Sequence, residues 1–218
     1  MRPQLCEEAL RLGRILAELA QEEQEVHGLV ALMEIQASRF PARTGPQGEP
    51  VLLLDQNRAR WDQLLIRRGL AALERAEAIG KAPGQSLGPY TLQAAIAACH
   101  ARARRPEETD WAQIAGLYGK LAELMPSAVV ELNRAVALAM LFGPAAGLQI
   151  VDALASEPAL KTYHLLPSVR GDLLKKLGRL EEARSEFERA ASLARNARER
   201  KLLLDRAAAI ATTPGGNS

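Results

Sequence analysis

The sequence has 218 residues, of which 48% are hydrophobic and only 4% aromatic, and its formal net charge is +2. Its abundance of Ala, Leu, Glu and Arg favours helix over strand. The small net charge gives no large basic field that would attract nucleic acid. The sequence has no run of about 18 apolar residues that could span a membrane, and its first residues lack the apolar core of a secretion signal. We therefore expect a cytoplasmic all-α protein, folded as one domain over residues 1–218.

The first two predicted helices run from Pro3 to Ala20 and from Glu22 to Ser38. Gly28 and Ala31 are small where the first helix is expected to cross the second. The first helix has no partner helix before it, so we expect the chain to come from a longer polypeptide. Its apolar stripe, expected to be its packing face, comprises Leu5, Ala9, Leu12, Ile15, Leu16 and Leu19.

An irregular stretch follows from Phe40 to Asn57, where three prolines and two glycines oppose helix. Within it, Val51 to Leu54 is an apolar run that suits a short extended segment laid over the helices. Loops of this length in compact helical domains are often functional. A functional loop and a tolerated insertion both stay open.

The third helix is predicted from Arg58 to Ile79, with Asp55 or Asn57 as its cap. Arg58 and Asp62 are four residues apart, and we favour an ion pair between them over a ligand site. After a link from Gly84 to Pro89, the fourth helix runs from Tyr90 to Ala103. It is rich in alanine, which lets neighbouring helices approach closely, so it should be central.

The sequence shows no pattern typical of catalysis or of metal binding. The basic run of Arg102, Arg104 and Arg105 is followed directly by acidic residues, which favours a solvated turn over a phosphate site. His27, His100 and His164 fall in different helices and are interpreted as packed or surface residues. We therefore expect no enzymatic activity, no cofactor and no metal.

Five further helices are predicted up to Arg195, and a last helix from Ala197 to Ala211 precedes a tail from Thr212 to Ser218. The earlier ones run from Trp111 to Met125, from Ser127 to Phe142 and from Ala145 to Ala155, and Tyr163 to Arg195 reads as two helices joined by a tight turn at Gly178. In this hairpin Gly171 and Ala183 should lie where the helices cross, with Phe187 beside them. Asn196 is expected to cap the last helix.

The hairpin resembles a tetratricopeptide repeat, a helix-turn-helix unit of about 34 residues. Pro167, Arg170 and Leu174 stand where that family often has Trp, Leu and Tyr, so a generic helical hairpin stays open. The resemblance implies a right-handed α-solenoid of about ten helices, most regular over residues 90–195, with the last helix as its cap. Such a solenoid would offer a groove for an extended segment, and the groove candidates are Asn133, Arg134, Ser168, Asp172 and Lys175.

Several motifs follow in an order that resembles the C-terminal extension of a subgroup of extracytoplasmic-function sigma factors. They include LCEEALRLGRILAEL, EVHGLVALMEIQASR, LLLDQNRARWDQLLIRRGLAALERA, TDWAQIAGLYGKL and VVELNRAVALAM. The resemblance implies a bacterial regulatory domain whose sigma regions would lie before residue 1. It carries these interface candidates: Asp55, Arg58, Arg60, Trp61, Asp62, Tyr90, Asn133 and Arg134.

The partners implied by this resemblance are the sigma regions of the full-length protein, core RNA polymerase and a possible protein regulator. Direct binding to DNA or to a membrane is not expected of this chain. Two alternatives stay open. One is a free-standing peptide-binding adaptor, and the other is a small-molecule sensor in which the loop of residues 40–57 closes over the Trp61 end of the third helix.

Overall fold

The computed structural model describes residues 3–81 and 86–211. The predicted tail from Thr212 and the start of the predicted link at Gly84 lie outside these residues. The described chain has ten α-helices, which confirms the all-α class: α1 Pro3–Leu19, α2 Gln24–Ser38, α3 Gln63–Gly80, α4 Pro89–Arg102, α5 Trp111–Leu124, α6 Ala128–Phe142, α7 Pro144–Leu154, α8 Leu165–Lys176, α9 Leu180–Leu193 and α10 Ala197–Ala211.

The helices divide into two compact units. Among the described residues, the first unit contains α1 to α5, and the second contains α6 to α10 together with Gly48–Pro50. One continuous repeat domain over residues 1–218 therefore stays a prediction.

In the first unit, α2 packs against α1, α3 and α4. A Cβ atom added at Gly28 would fall 2.7 Å from the backbone nitrogen of Thr91 in α4. Likewise, a Cβ atom at Gly69 of α3 would fall 3.1 Å from the backbone oxygen of Ala31. The prediction that Gly28 and Ala31 mark the crossing with the first helix is therefore wrong, because these small residues admit α4 and α3.

The alanine-rich α4 is central to the first unit, as predicted, and its alanines at positions 94, 95, 97 and 98 are buried. Its N-terminus is capped from α2. The carboxylate of Glu25 accepts the backbone N–H groups of Tyr90 (2.7 Å) and Thr91 (3.1 Å), and also the Thr91 hydroxyl (2.7 Å). A carboxylate is favoured there because the N-terminal amides of a helix lack partners and carry positive partial charge.

The irregular stretch contains 3-10 turns at Phe40–Ala42 and Leu53–Asp55, and a third turn, Arg58–Arg60, follows it. The predicted start of the third helix at Arg58 is wrong. The Asp62 side chain caps α3 by accepting the N–H groups of Leu64 (2.8 Å) and Leu65 (3.1 Å). Asn57 instead caps the turn before it, where its side chain accepts the N–H of Ala59 (3.0 Å).

In the second unit, α8 and α9 form the predicted hairpin. Gly178 at the turn has a φ of +76°, which favours glycine. A Cβ atom at Gly171 would fall 2.8 Å from the Phe187 ring, and Ala183 and Phe187 are fully buried. The predicted close approach at Gly171 is confirmed, with Phe187 lying against it. Asn196 caps α10 as predicted, since its side chain accepts the N–H of Arg198 (2.9 Å).

Candidate functional site

Arg58 is a buried arginine that binds backbone oxygens rather than a carboxylate. Its guanidinium donates to the backbone oxygens of His100 (3.0 Å) and Ala103 (2.8 Å), and to the Thr109 hydroxyl (3.0 Å). The predicted Arg58–Asp62 ion pair is therefore wrong. Arg58 satisfies carbonyl groups at the C-terminal end of α4, where a positive charge also complements the helix dipole.

Trp61 is 3% exposed and packs against Ala42, Leu53 and Ile66, so the irregular stretch does cover this end of α3. The guanidinium carbons of Arg39 and Arg58 lie 5.7 and 5.3 Å from the centre of its ring, within cation–π range. Its indole Nε1 has no hydrogen-bond acceptor among the described residues. Arg58 and Trp61 are thus core residues of the first unit.

His100 lies beside these two arginines and is 7% exposed. Its ring meets Trp111 edge-on, with 5.3 Å between ring centroids, and its Nδ1 has no partner among the described residues. Burial, together with the charges of Arg39 and Arg58, lowers the pKa of His100 to about 4, so the ring is neutral at pH 7. Burial and the charges of Arg43 and Arg58 lower the pKa of Arg39 to about 10.

We call Arg39, Arg58, Trp61 and His100 the cationic cluster. At pH 7 it holds two charged arginines, and neither of them forms an ion pair with a carboxylate of the described residues. Glu107 and Glu108 lie close enough to raise the pKa of Arg58, although burial lowers it overall. The cluster was not predicted from the sequence, because Arg39 and His100 lie about 60 residues apart and meet only in the fold.

The other candidates in the first unit are exposed. Asp55, Arg60 and Asp62 lie on the surface beside the cationic cluster, and Asp62 is occupied in capping α3. Tyr90 is 44% exposed at the N-terminal end of α4. The fold therefore separates the predicted DQNRARWD candidates into two buried side chains and three exposed ones.

The candidates in the second unit lie on α6 and α8. Asn133 is exposed, and Arg134 forms an ion pair with Glu131 of its own helix (3.2 Å). Asp172 forms an ion pair with Arg206 of α10, whose guanidinium carbon also lies 4.3 Å from the centre of the Phe187 ring. Ser168 is half-buried and Lys175 exposed.

The apolar stripe of α1 is exposed, so the prediction that it forms the packing face of this helix is wrong. The helix packs on α2 at Gly13, beside Val30 and Met33, and through an ion pair between Arg14 and the buried Glu34 (2.6 Å), and its Leu10 is buried. The predicted packing face instead points away from the described chain. It carries four exposed leucines, which we call the α1 stripe: Leu5, Leu12, Leu16 and Leu19, at 61%, 53%, 44% and 81% exposure.

Over residues 3–81 and 86–211, no group of three or more His, Cys, Asp or Glu side chains could hold a metal ion. In the same part of the chain, no helix is long and apolar enough to cross a membrane. Cys6 and Cys99 are free, and Cys99 is buried.

Comparison with known proteins gives two matches. A family of unknown function, DUF6596, matches residues 1–77, which belong to the first unit except for Gly48–Pro50 and include both the α1 stripe and Trp61. An uncharacterized protein from Rhizobium meliloti (strain 1021) is 48% identical over 195 residues, which make up 89% of this chain and 44% of that protein. The chain thus spans less than half the length of this relative. No solved structure matches.

Proposed function

We propose that this chain is a regulatory protein-interaction domain of a bacterial sigma factor, which controls transcription initiation by docking on the sigma regions of the same polypeptide. Core RNA polymerase and a separate regulator are further partners within this proposal. The finer fold that we propose is a right-handed solenoid of tetratricopeptide-like hairpins. The proposal rests on the order of the sequence motifs and, in the structure, on the α1 stripe.

The α1 stripe carries the proposal because exposed, contiguous apolar faces are typical of interaction sites. Its four leucines repeat at helical spacing, so they form one continuous ridge on α1. Covering the area that these side chains now expose would contribute roughly 5 kcal/mol before the cost of association. A face of this kind suits the apolar side of a partner helix.

The occupant that we propose is a helical segment of the sigma regions. More than half of the Rhizobium relative lies outside its match to this chain, so a longer polypeptide could supply such a segment. The proposal requires coding sequence for two helical regions, one for promoter DNA and one for polymerase, upstream of Met1 in the same reading frame. Sequencing that DNA is the first test, and a frame without such regions would refute the proposal.

The binding test uses the upstream polypeptide and this chain as separate proteins in a calorimeter. We expect a Kd in the micromolar range or tighter. The variant Leu12→Ser with Leu19→Ser should weaken binding roughly tenfold or more, since it removes two apolar side chains from the contact. The matched control is Leu141→Ser with Leu204→Ser, two leucines of the second unit at 41% and 48% exposure, and it should bind as the unchanged chain does.

Two results would count against the proposal. One is an absence of measurable heat while circular dichroism shows both proteins folded. The other is self-association in the ultracentrifuge that the stripe variant abolishes, without binding to the upstream polypeptide, because the α1 stripe would then join two copies of this chain. Trp61→Ala is a poor probe, because Trp61 is buried and its loss would disturb the fold.

A further inference from the structure

A cleft of about 430 Å³ lies in the first unit against the cationic cluster. Arg58 and Trp61 form part of its wall, and Ile66 and Ala101 add apolar surface. The remaining cations come from the end of α4 and the turn after it, where Arg102 and Arg104 line the cleft and are exposed. Its volume is within the range of about 300–1,000 Å³ that is typical of small-molecule sites.

The charges of this cleft are of one sign. Three arginines line it, and none of its described lining residues is acidic. The Arg102 and Arg104 guanidinium groups form no ion pair with a carboxylate within the described chain. The nearby Glu108 accepts the backbone N–H of Arg104 (3.0 Å) and lies 4.0 Å from Arg105. Its carboxylate therefore forms no ion pair with the three cleft guanidinium groups, although its charge and that of Glu107 act on Arg58 from a distance.

Two buried donors beside the cleft also lack acceptors. The Nε atom of Arg58 and the Nε1 atom of Trp61 have no hydrogen-bond partner in the described residues, although these residues are only 7% and 3% exposed. An unpaired buried donor costs free energy, and native proteins rarely leave one without a reason. Both residues line the same cleft, so a molecule bound there would lie against the two side chains that carry these donors.

We propose that this cleft binds a small organic anion, a carboxylate or a phosphate monoester with an apolar group. The anionic head contacts Arg58, Arg102 and Arg104, and the apolar part packs on Trp61 and Ile66. Arginine suits this role because its planar guanidinium pairs with two oxygens of a carboxylate or phosphate at once. The sequence alone favours a solvated turn for Arg102 and Arg104. A bound anion would instead give these two side chains a role in binding.

This inference does not depend on the proposed function, because the cleft and the α1 stripe involve different residues of the first unit. Binding at one could be absent while binding at the other is present. A ligand at the cleft would also contact Trp61, which is packed against the irregular stretch through Leu53 and Ala42.

The test uses two probes, phenyl phosphate and phenylacetate, with inorganic phosphate and chloride as comparisons. Titration of the ¹⁵N-labelled chain should shift the indole N–H resonance of Trp61, assigned by comparison with Trp111→Phe. Saturable binding of at least one aromatic probe is expected, tighter than that of inorganic phosphate. The probe that binds more tightly then shows whether the natural ligand carries a phosphate monoester or a carboxylate.

The decisive variant is Arg102→Ala with Arg104→Ala, two exposed side chains whose loss leaves the core intact. It should weaken binding of the preferred probe roughly tenfold or more, as expected when charge-assisted hydrogen bonds are lost. The matched control is Arg67→Ala with Arg68→Ala, which removes the same charge from an exposed part of α3 outside the cleft. Equal weakening by both variants would indicate unspecific charge attraction and overturn the proposal. No saturable binding up to about 10 mM of either aromatic probe would overturn it too.

Discussion

Acid should destabilise this protein through His100, and the size of the effect can be worked out from the structure. The neutral ring is buried beside Arg39 and Arg58, which lowers its pKa from 6.5 to about 4. In the unfolded chain the ring takes up a proton near pH 6.5, whereas in the folded chain it does so only near pH 4. The stability linked to this group is therefore complete above pH 6.5 and is lost as the pH falls towards 4.

Between pH 7.5 and pH 5 this linkage amounts to about 2 kcal/mol of unfolding free energy. We expect urea unfolding, followed by circular dichroism, to show at least this loss in the unchanged chain. In His100→Gln the loss should be smaller by about 2 kcal/mol, because glutamine has no proton to take up in this range. The baseline stability of the variant can differ through its lost contact with Trp111, but only the change with pH is compared.

His27→Gln is the matched control, since the His27 ring is only partly buried and bonds the backbone oxygen of Gln21 (2.9 Å). It should keep the pH dependence of the unchanged chain. If His100→Gln loses as much stability between pH 7.5 and pH 5 as the unchanged chain does, the pKa of His100 is not lowered by folding. The description of the cationic cluster as a place that repels further positive charge would then be wrong.

Two further predictions concern packing within the first unit. Gly28→Ala should destabilise the fold by about 1–3 kcal/mol in urea unfolding, since the new Cβ meets backbone atoms of α4, whereas Gly116→Ala, with open space around it, should be neutral or stabilising. Equal effects would refute the close approach. Arg14→Met should cost about 3–5 kcal/mol because it leaves the buried Glu34 charge unpaired, whereas Arg11→Met removes only an exposed pair and should cost under about 1 kcal/mol. A thermal melt in which both arginine variants behave alike would show that Glu34 does not depend on Arg14.

The helices could be predicted from the sequence because their signals are local. Apolar periodicity, with Gly and Pro between the segments, gave ten helices whose ends mostly agree with the structure within a few residues. The beginning of α3 was missed because two residues in one short stretch, Asn57 and Asp62, are both good caps. The local pattern does not say that the first caps a 3-10 turn and the second caps the helix.

Partners across the fold could not be predicted in the same way. Arg58 has an acidic residue four positions away, yet it binds backbone oxygens 42 and 45 residues along the chain. Gly28 admits α4 rather than α1 for the same reason, since a small residue signals a close neighbour without identifying it. The α1 stripe shows the limit most clearly. Its periodicity marks an apolar face, but the described chain packs α1 through a different face.

The DQNRARWD stretch contains both buried and exposed side chains, and only the exposed ones are suitable places to look for a partner contact. Arg58 and Trp61 support the end of α4 and the core around α3, so their replacement would alter the fold whether or not a partner exists. Asp55 and Arg60 are exposed, and their side chains make no hydrogen bond or ion pair within the described chain. The fold does not require these two side chains as it requires their buried neighbours. A loss of binding in Asp55→Asn or Arg60→Gln would therefore report on an interface, which a loss in Arg58 or Trp61 variants could not do.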